Sequence, residues 1–362
     1  MAERDEARYW LALSFIPGLG GENVRRLLSQ FGPPDKIFAA SHAQLCAVVE
    51  APFARAIGEG LESAKLAPAL EWLSQPGNHL VTLADADYPQ VLLETPNPPA
   101  ILYVKGRLEL LNQPAFGIVG SRHATPQGER DAEAFAHTLS DAGLTIVSGM
   151  ALGIDACAHR GGLKGAASSI AVVGTGLDIV YPARNRELAH QLAEHGTIVS
   201  EFHLGTPSKA QNFPQRNRII SGLARGVLVV EAALQSGSII TARLAGEQGR
   251  EVFAMPGSIH SPLSKGCHRL IKQGAKLVES AQDILEELAW AAPINKPGSN
   301  KKATLDASHA AFLGQLGHTP TPIDTLVSRT GLTSEQVCSI LLQLELNGQV
   351  ASLPGGLYQA IN

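Results

Sequence analysis

Seven short apolar runs punctuate the middle of this chain: Ala115–Gly120, Leu144–Gly149, Ser169–Gly174, Gly196–Glu201, Val227–Glu231, Val252–Met255 and Ala275–Val278. They are rich in Val and Ile and lack a regular alternation of apolar and polar positions. Strands of this kind are covered on both faces, as in a parallel sheet. Intervening stretches such as Gln127–Asp141 and Ser238–Gln248 carry helical spacing. Residues 81–290 therefore predict an α/β fold, an extended Rossmann-like doubly wound parallel sheet.

The flanks have a different rhythm. Residues 1–80 predict a helical domain, with apolar spacing in Trp10-Leu11-Leu13, Val24-Leu27-Leu28 and Leu61-Leu66-Leu70. Within it, Ile16-Pro17-Gly18-Leu19-Gly20 is a glycine hairpin between two helices. It fits two readings: a helix-hairpin-helix that offers backbone N–H groups to a DNA phosphate, or a tight connection with no ligand. Asp85–Leu111 is proline-rich and predicts an irregular covering segment. Residues 291–302 have the Pro, Gly, Asn and Lys content of a linker. In residues 303–362, helices over Leu305–Leu316, Ile323–Thr330 and Thr333–Asn347 precede a hairpin, Gln349–Leu353 and Leu357–Ala360, which together predict a winged helix. Its third helix opens with a Thr333…Gln336 capping box and holds Glu335 and Glu345 but no basic residue, which favours protein contact or packing over reading of duplex DNA.

A chain of 362 residues with 44% hydrophobic and 17% charged residues has room for several cores. No apolar run reaches the length of a membrane span, and Met1–Glu6 is too acidic to open a signal peptide, so the expected location is the cytoplasm. Cys46, Cys157, Cys267 and Cys338 lie far apart, without zinc-ligand spacing, so neither a disulfide framework nor a metal is expected. A net charge of −4 argues against a protein coated in basic residues. Locally the balance reverses, because Arg160–Arg225 holds eight Lys/Arg against four Asp/Glu.

The most informative segment lies in that stretch. Phe213-Pro214-Gln215-Arg216-Asn217-Arg218-Ile219-Ile220-Ser221-Gly222 reads as a helix whose first turn is cationic, with Pro214 at its start. Unpaired N–H groups and the positive end of the helix dipole favour an anion there. Arg216 shares a stripe with Ile220 and Leu223, which places it where the buried helix face meets the sheet edge.

Other strand-end loops repeat the theme. Gly120-Ser121-Arg122 follows the first run and combines a close backbone approach, a hydroxyl and a guanidinium. Gly149 and Gly153 follow the second. Gly174-Thr175-Gly176 follows the third and continues through Tyr181-Pro182-Ala183-Arg184, where Tyr181 fits either a stacking or a packing role. Ser236-Gly237-Ser238 opens a helix with two hydroxyls, as an anion cradle or a serine cap. Neither glycine pattern completes G-x-G-x-x-G, and no Walker lysine is present, so no nucleotide cofactor is expected. Asp155, Asp178, Glu201 and Glu231 are the carboxylates near strand ends. No catalytic motif accompanies them, Asp155 suits a helix cap or an arginine partner, and His159 and His203 suit structural roles.

Taken in order, Ile118–Arg122, Ser148–His159, Gly174–Asp178 with Tyr181-Pro182, Phe213–Gly222, Glu231 with Ser236–Arg243, and Val252–Gly257 resemble the motifs of the DprA/Smf family of DNA-processing proteins. The resemblance is dense over residues 80–290. It implies a non-catalytic protein of natural transformation that binds single-stranded DNA, forms homodimers and loads RecA onto DNA covered by single-strand binding protein, with no membrane partner. Carried over residue by residue, it implies a DNA site of Gly120, Ser121, Arg122, Phe213, Arg216, Asn217, Arg218, Ser236, Gly237 and Ser238, with Lys209 beside it. Arg184 stands one place later than a basic residue of some relatives, with Ala183 between it and Pro182. The strand-end loops add Gly149, Gly153 and Arg184 to the candidates. A second class, the LOG phosphoribohydrolases that cleave nucleoside monophosphates, has the same type of core. Their Pro-Gly-Gly turn and downstream glutamate are missing from Glu231–Ser238.

Overall fold

The computed structural model of the chain describes residues 2–60, 63–290 and 307–361. Leu61, the 291–302 linker and residues 303–306 lie outside them. The amino-terminal helices are α1 (Ala2–Ser14), α2 (Gly21–Phe31), α3 (Pro34–Ala39), α4 (His42–Cys46), α5 (Ala51–Glu59) and α6 (Ser63–Leu73). They close around Trp10, Leu13, Val24, Leu27, Ile37 and Leu45, and the same cluster takes in Ile101 and Tyr103 from the sheet. The Ile16–Gly20 hairpin is docked on the connection at Asn97–Pro98, so closely that a Cβ on Gly21 would stand 1.8 Å from the Pro98 carbonyl oxygen.

The central sheet has nine strands. In chain order its elements are β1 (Asn78–Thr82), α7 (Gln90–Leu93), β2 (Ile101–Gly106), β3 (Ala115–Val119), α8 (Pro126–Asp141), β4 (Thr145–Ser148), α9 (Ile154–Lys164), β5 (Ser169–Val172), α10 (Arg186–His195), β6 (Thr197–Ser200), α11 (Asn212–Leu223), β7 (Gly226–Val229), α12 (Gly237–Glu247), β8 (Glu251–Ala254), α13 (Lys265–Lys272), β9 (Lys276–Leu277) and α14 (Ala281–Glu287). The spatial order is β1-β2-β6-β5-β4-β3-β7-β8-β9. Strands β3 to β9 pair in parallel, and all seven coincide with the apolar runs. Antiparallel β1 and β2 extend one edge and correct the expectation of helix to residue 80 and irregular chain after 85. Helices cover both faces, with Val147, Ile170, Val199 and Ile219 in one layer and Phe116, Ile146, Leu228 and Phe253 in the other.

Strand order reverses between β3 and β7, the position at which open α/β sheets bind ligands. After residue 306, α15 (Ala307–Leu316), β10 (Thr321–Pro322), α16 (Ile323–Thr330), α17 (Ser334–Leu346), β11 (Val350–Leu353) and β12 (Leu357–Ala360) form the winged helix, with the Thr333–Gln336 capping box in place. The four cysteines are free thiols. Among the described residues no helix is long and apolar enough to cross a membrane.

Candidate nucleic-acid interface

The carboxyl ends of β3 and β7 open into a cavity of about 790 Å³. Its first wall is the loop Gly120-Ser121-Arg122. A Cβ on Gly120 would meet Ile154 at 2.6 Å, so only glycine lets this loop lie directly on the start of α9. Ser121 accepts a hydrogen bond from the His123 N–H (3.1 Å) through its hydroxyl and from the Ile154 N–H (3.1 Å) through its carbonyl, which fixes the turn. Arg122 is thereby held with its guanidinium carbon 5.3 Å from the centroid of the Phe213 ring, a cation–π arrangement.

Phe213 belongs to the second wall, the start of α11. The helix begins at Asn212, two residues before the expected Pro214, because Asn212 anchors it by donating from Nδ2 to the Gly174 carbonyl at 2.9 Å. Pro214 still falls among the first-turn positions whose N–H groups lack carbonyl partners, so it costs no helical bond. One side of the Phe213 ring rests on Gly174, and the Tyr181 ring lies 5.8 Å away, centroid to centroid. Tyr181 is 43% exposed, which makes it part of the cavity rim.

Arg216 forms the floor. It is buried with Ile220 and Leu223, as the helical stripe predicts, and its Nη1 donates to the Val172 carbonyl at 2.6 Å. Burial pulls its pKa down to about 10, against the opposing pull of Asp155, so the group stays charged at neutral pH. Burial pushes Asp155 up, opposed first by Arg216 and then by the Ala151 N–H, which donates to Oδ2 at 3.4 Å. Asp155 stands in the first turn of α9, whose start carries no side-chain cap, and the charge of Arg216 acts on it through space.

The third wall is the start of α12. Ser236 caps this helix by accepting from the Ser238 N–H at 3.3 Å, and the two hydroxyls are 2.6 Å apart. Asn217 reaches across from α11, its Nδ2 3.4 Å from the Gly237 carbonyl. Two helix starts and two guanidinium groups thus surround one concave space, an arrangement that attracts anions.

Gly120, Ser121, Arg122, Phe213, Arg216, Asn217, Ser236, Gly237 and Ser238 line this cavity together. The other candidates lie elsewhere. Gly149 is behind Arg216, where a Cβ would stand 1.8 Å from Nη1. Gly153 has φ of 71°, and a Cβ there would strike the Ser121 carbonyl at 2.3 Å. Both shape the wall through these close backbone contacts. Lys209 is exposed between the lining residues Ser208 and Ala210, and Arg184 is exposed on a short turn just outside. Arg218 does not line this cavity. It lies on the opposite side of α11, where it donates to Glu201 and to the Asn97 carbonyl (2.7 Å) and ties the sheet to the segment beneath the amino-terminal hairpin.

The remaining strand-end groups hold loops in place. Asp178 accepts from the Gly205 N–H at 2.9 Å, and Glu231 accepts from the N–H (2.9 Å) and hydroxyl (2.6 Å) of Thr125 at the start of α8. His159 is fully buried, with Nε2 accepting from the Met150 N–H at 3.2 Å and Nδ1 2.8 Å from the Ser169 hydroxyl. His203 stacks on Phe15 at 3.9 Å and joins Ser14 to Tyr103. His123, Gln235 and Thr241 also line the cavity but were not among the candidates; His123 and Gln235 adjoin strand-end motifs, and Thr241 lies within Ser236–Arg243.

Residues 79–289 match the family model of the DNA recombination-mediator protein A, and residues 296–356 match the DprA winged helix domain. Protein Smf of Escherichia coli is 42% identical over 360 residues, covering 97% of this chain and 95% of its own length. The chain belongs to the DprA/Smf family. Over 209 residues it is 47% identical to the DNA processing protein DprA of Streptococcus pneumoniae, covering 58% of this chain and 74% of that protein. The solved structure of DprA from Streptococcus pneumoniae covers 77% of this chain and 97% of its own, at 37% identity and a TM-score of 0.69. A second DprA structure, from Helicobacter pylori, was solved for its single-stranded DNA binding mode. It covers 58% of this chain and 96% of its own, at 30% identity and a TM-score of 0.53. The winged-helix match also accounts for the carboxy-terminal helices and hairpin as a DprA feature.

Proposed function

We propose that this protein binds single-stranded DNA across the cavity between β3 and β7, without catalysis, and passes that DNA to RecA during recombination of incoming strands. The carrying observation is the Phe213 ring at the cavity rim, beside Tyr181 and under the Arg122 guanidinium. An aromatic face flanked by cations accepts any base while the helix starts hold the backbone, which is the chemistry of sequence-tolerant single-strand binding. The Helicobacter pylori DprA, with its single-stranded DNA binding mode, supports the same reading. Clearing single-strand binding protein from the DNA for RecA belongs to this proposal, as does a cytoplasmic location. A homodimer is supported by Leu234, Ile259 and Leu277, large apolar side chains 50%, 67% and 43% exposed near the outer strand β9.

The test is a binding titration with single- and double-stranded oligonucleotides, comparing the parent with Arg122→Ala and Arg216→Ala. Preference for single strands and a loss in both variants are expected. Equal binding to duplex, or no loss in either variant, would overturn the proposal. Release of adenine from AMP by the pure protein would instead favour the phosphoribohydrolase chemistry.

A further inference from the structure

Far from the DNA cavity, the opposite edge of the sheet carries a groove of about 600 Å³ along β1. Strand β1 is the last in the order and pairs with β2 alone. Leu83 donates to Ala100 and Gly106 donates to Gly77, which fixes the odd-numbered residues of β1 as those facing β2. Asn78, Leu80 and Thr82 therefore turn their backbone groups outward. Thr82 is closed off locally, its N–H donating to Asp85 Oδ2 at 2.7 Å and its carbonyl accepting from the Asp85 N–H at 3.0 Å. The Asn78 N–H is spent on the Gln75 carbonyl. Among the described residues nothing bonds to the outward groups of Leu80, which leaves both for another strand.

The groove around that edge is apolar at Trp10, Leu73 and Leu80 and acidic at Glu6, Asp85 and Asp87, and among the described residues no lysine or arginine lines it. Three of its residues, buried to 6% exposure or less, each hold a side-chain polar atom without a hydrogen-bond partner: Trp10 Nε1, Asn78 Oδ1 and Thr82 Oγ1. Those three atoms are closed off from the groove, so what an added strand would complete is the open backbone edge at Leu80. A second copy of this chain is a poor occupant, because pairing β1 with β1 would set three carboxylates against the same three.

We propose that β1 is a docking edge for an extended, lysine- or arginine-bearing segment of a partner protein, which adds as a tenth strand at Leu80. The segment's main chain bonds to Leu80, and its cations meet Glu6 and Asp87. The probe is a fluorescent nonapeptide alternating lysine and valine, titrated by anisotropy onto the full chain, with the glutamate–valine counterpart as control. Variants are Leu80→Pro, which deletes the outward N–H at an edge position that tolerates proline, and the double charge reversal Glu6→Lys with Asp87→Lys. The basic peptide is expected to bind, to protect the Leu80 amide from hydrogen exchange, and to bind at least tenfold more weakly to each variant. Retained single-stranded DNA binding by the same samples reports that they are folded. Equal binding of the acidic peptide, no binding of the basic one, or undiminished binding by folded Leu80→Pro would overturn the proposal. So would a change of oligomeric state in Leu80→Pro, which would assign the edge to a second copy.

Discussion

Gly149 and Arg216 compete for the same space: a methyl group on Gly149 would lie 1.8 Å from Arg216 Nη1. The guanidinium fits onto the Val172 carbonyl because the chain leaving β4 has no side chain there. Gly149→Ala is therefore expected to fold, to push Arg216 off Val172 and to leave a buried charged donor poorly satisfied, at a cost of about 1–3 kcal/mol. Single-stranded DNA affinity should fall as it does in Arg216→Ala, although residue 149 touches no ligand. Oligonucleotide titration together with thermal melting separates the two effects, and unchanged affinity would remove Arg216 from the site.

Phe213 offers the stacking face in the proposed function. Phe213→Ala should lose about 1–3 kcal/mol of binding to single strands, the range for one base stacked on an aromatic, whereas Phe213→Tyr should keep most of it. The contrast is measured with oligo-dT and a mixed-sequence strand of equal length. Equal losses in the two variants would mean that ring packing against Gly174, and not stacking, sets the affinity.

Arg218 makes its contribution to stability. It is paired with Glu201 at side-chain exposures of 18% and 10%, and burial already pushes the Glu201 pKa up against the pull of Arg218. Removing the cation alone leaves a buried carboxylate, so Arg218→Ala should cost about 3–5 kcal/mol. Arg218→Met with Glu201→Gln should recover most of that. Urea unfolding of the three variants checks the order, and a DNA-binding defect in the double variant larger than that of Arg122→Ala would return Arg218 to the site.

The fate of Arg216 and Arg218 explains what the sequence could and could not reveal. Residues two apart on a helix point in nearly opposite directions, so the stripe that rightly buried Arg216 with Ile220 also sent Arg218 to the other side. The motif put both in one site, and only the helical geometry separates them. Parallel strands were legible because continuous Val and Ile runs need cover on both faces. Strands β1 and β2 were not, since β1 is five residues long after Gly77 and β2 is adjacent to a run of prolines whose local signal is irregular chain. Gly149 and Gly153 were legible as close approaches, but the sequence does not say which atoms approach: in the fold they are Arg216 Nη1 and the Ser121 carbonyl.

His159 provides a pH test of the site's support. Burial lowers its pKa from 6.5 to about 3, and the neutral ring holds the Met150 N–H in a left-handed turn with φ of 55°. The unfolded chain thus binds a proton near pH 6.5 that the folded one refuses, so this contribution is complete above that pH and is lost on acidification between about 6.5 and 3. The slope approaches about 1.4 kcal/mol per pH unit. Relative to His159→Gln, the parent should lose about 1.6 kcal/mol between pH 6.5 and 5 in urea unfolding. Parallel curves for the two proteins would show that the buried ring titrates at its ordinary pH.

Salt dependence distinguishes a backbone-following groove from a pocket for a single nucleotide. Each phosphate neutralised on a single strand contributes a slope of about −0.7 in log K against log salt. Four contacts, drawn from Arg122, Arg216 and the starts of α11 and α12, give a slope near −2.8, hence roughly a 50-fold loss of affinity for a fourfold rise in salt. Arg122→Ala should shorten the slope by about 0.7 along with weakening binding, because the cation it removes lies over the open face of the cavity. Arg218→Ala, with its charge committed to Glu201, should leave the slope as it is. Measuring the three slopes on one oligonucleotide thus counts the phosphates and assigns them. A parent slope near −0.7 would mean that a single phosphate is held, and the groove would then be a nucleotide site instead of a track for a strand.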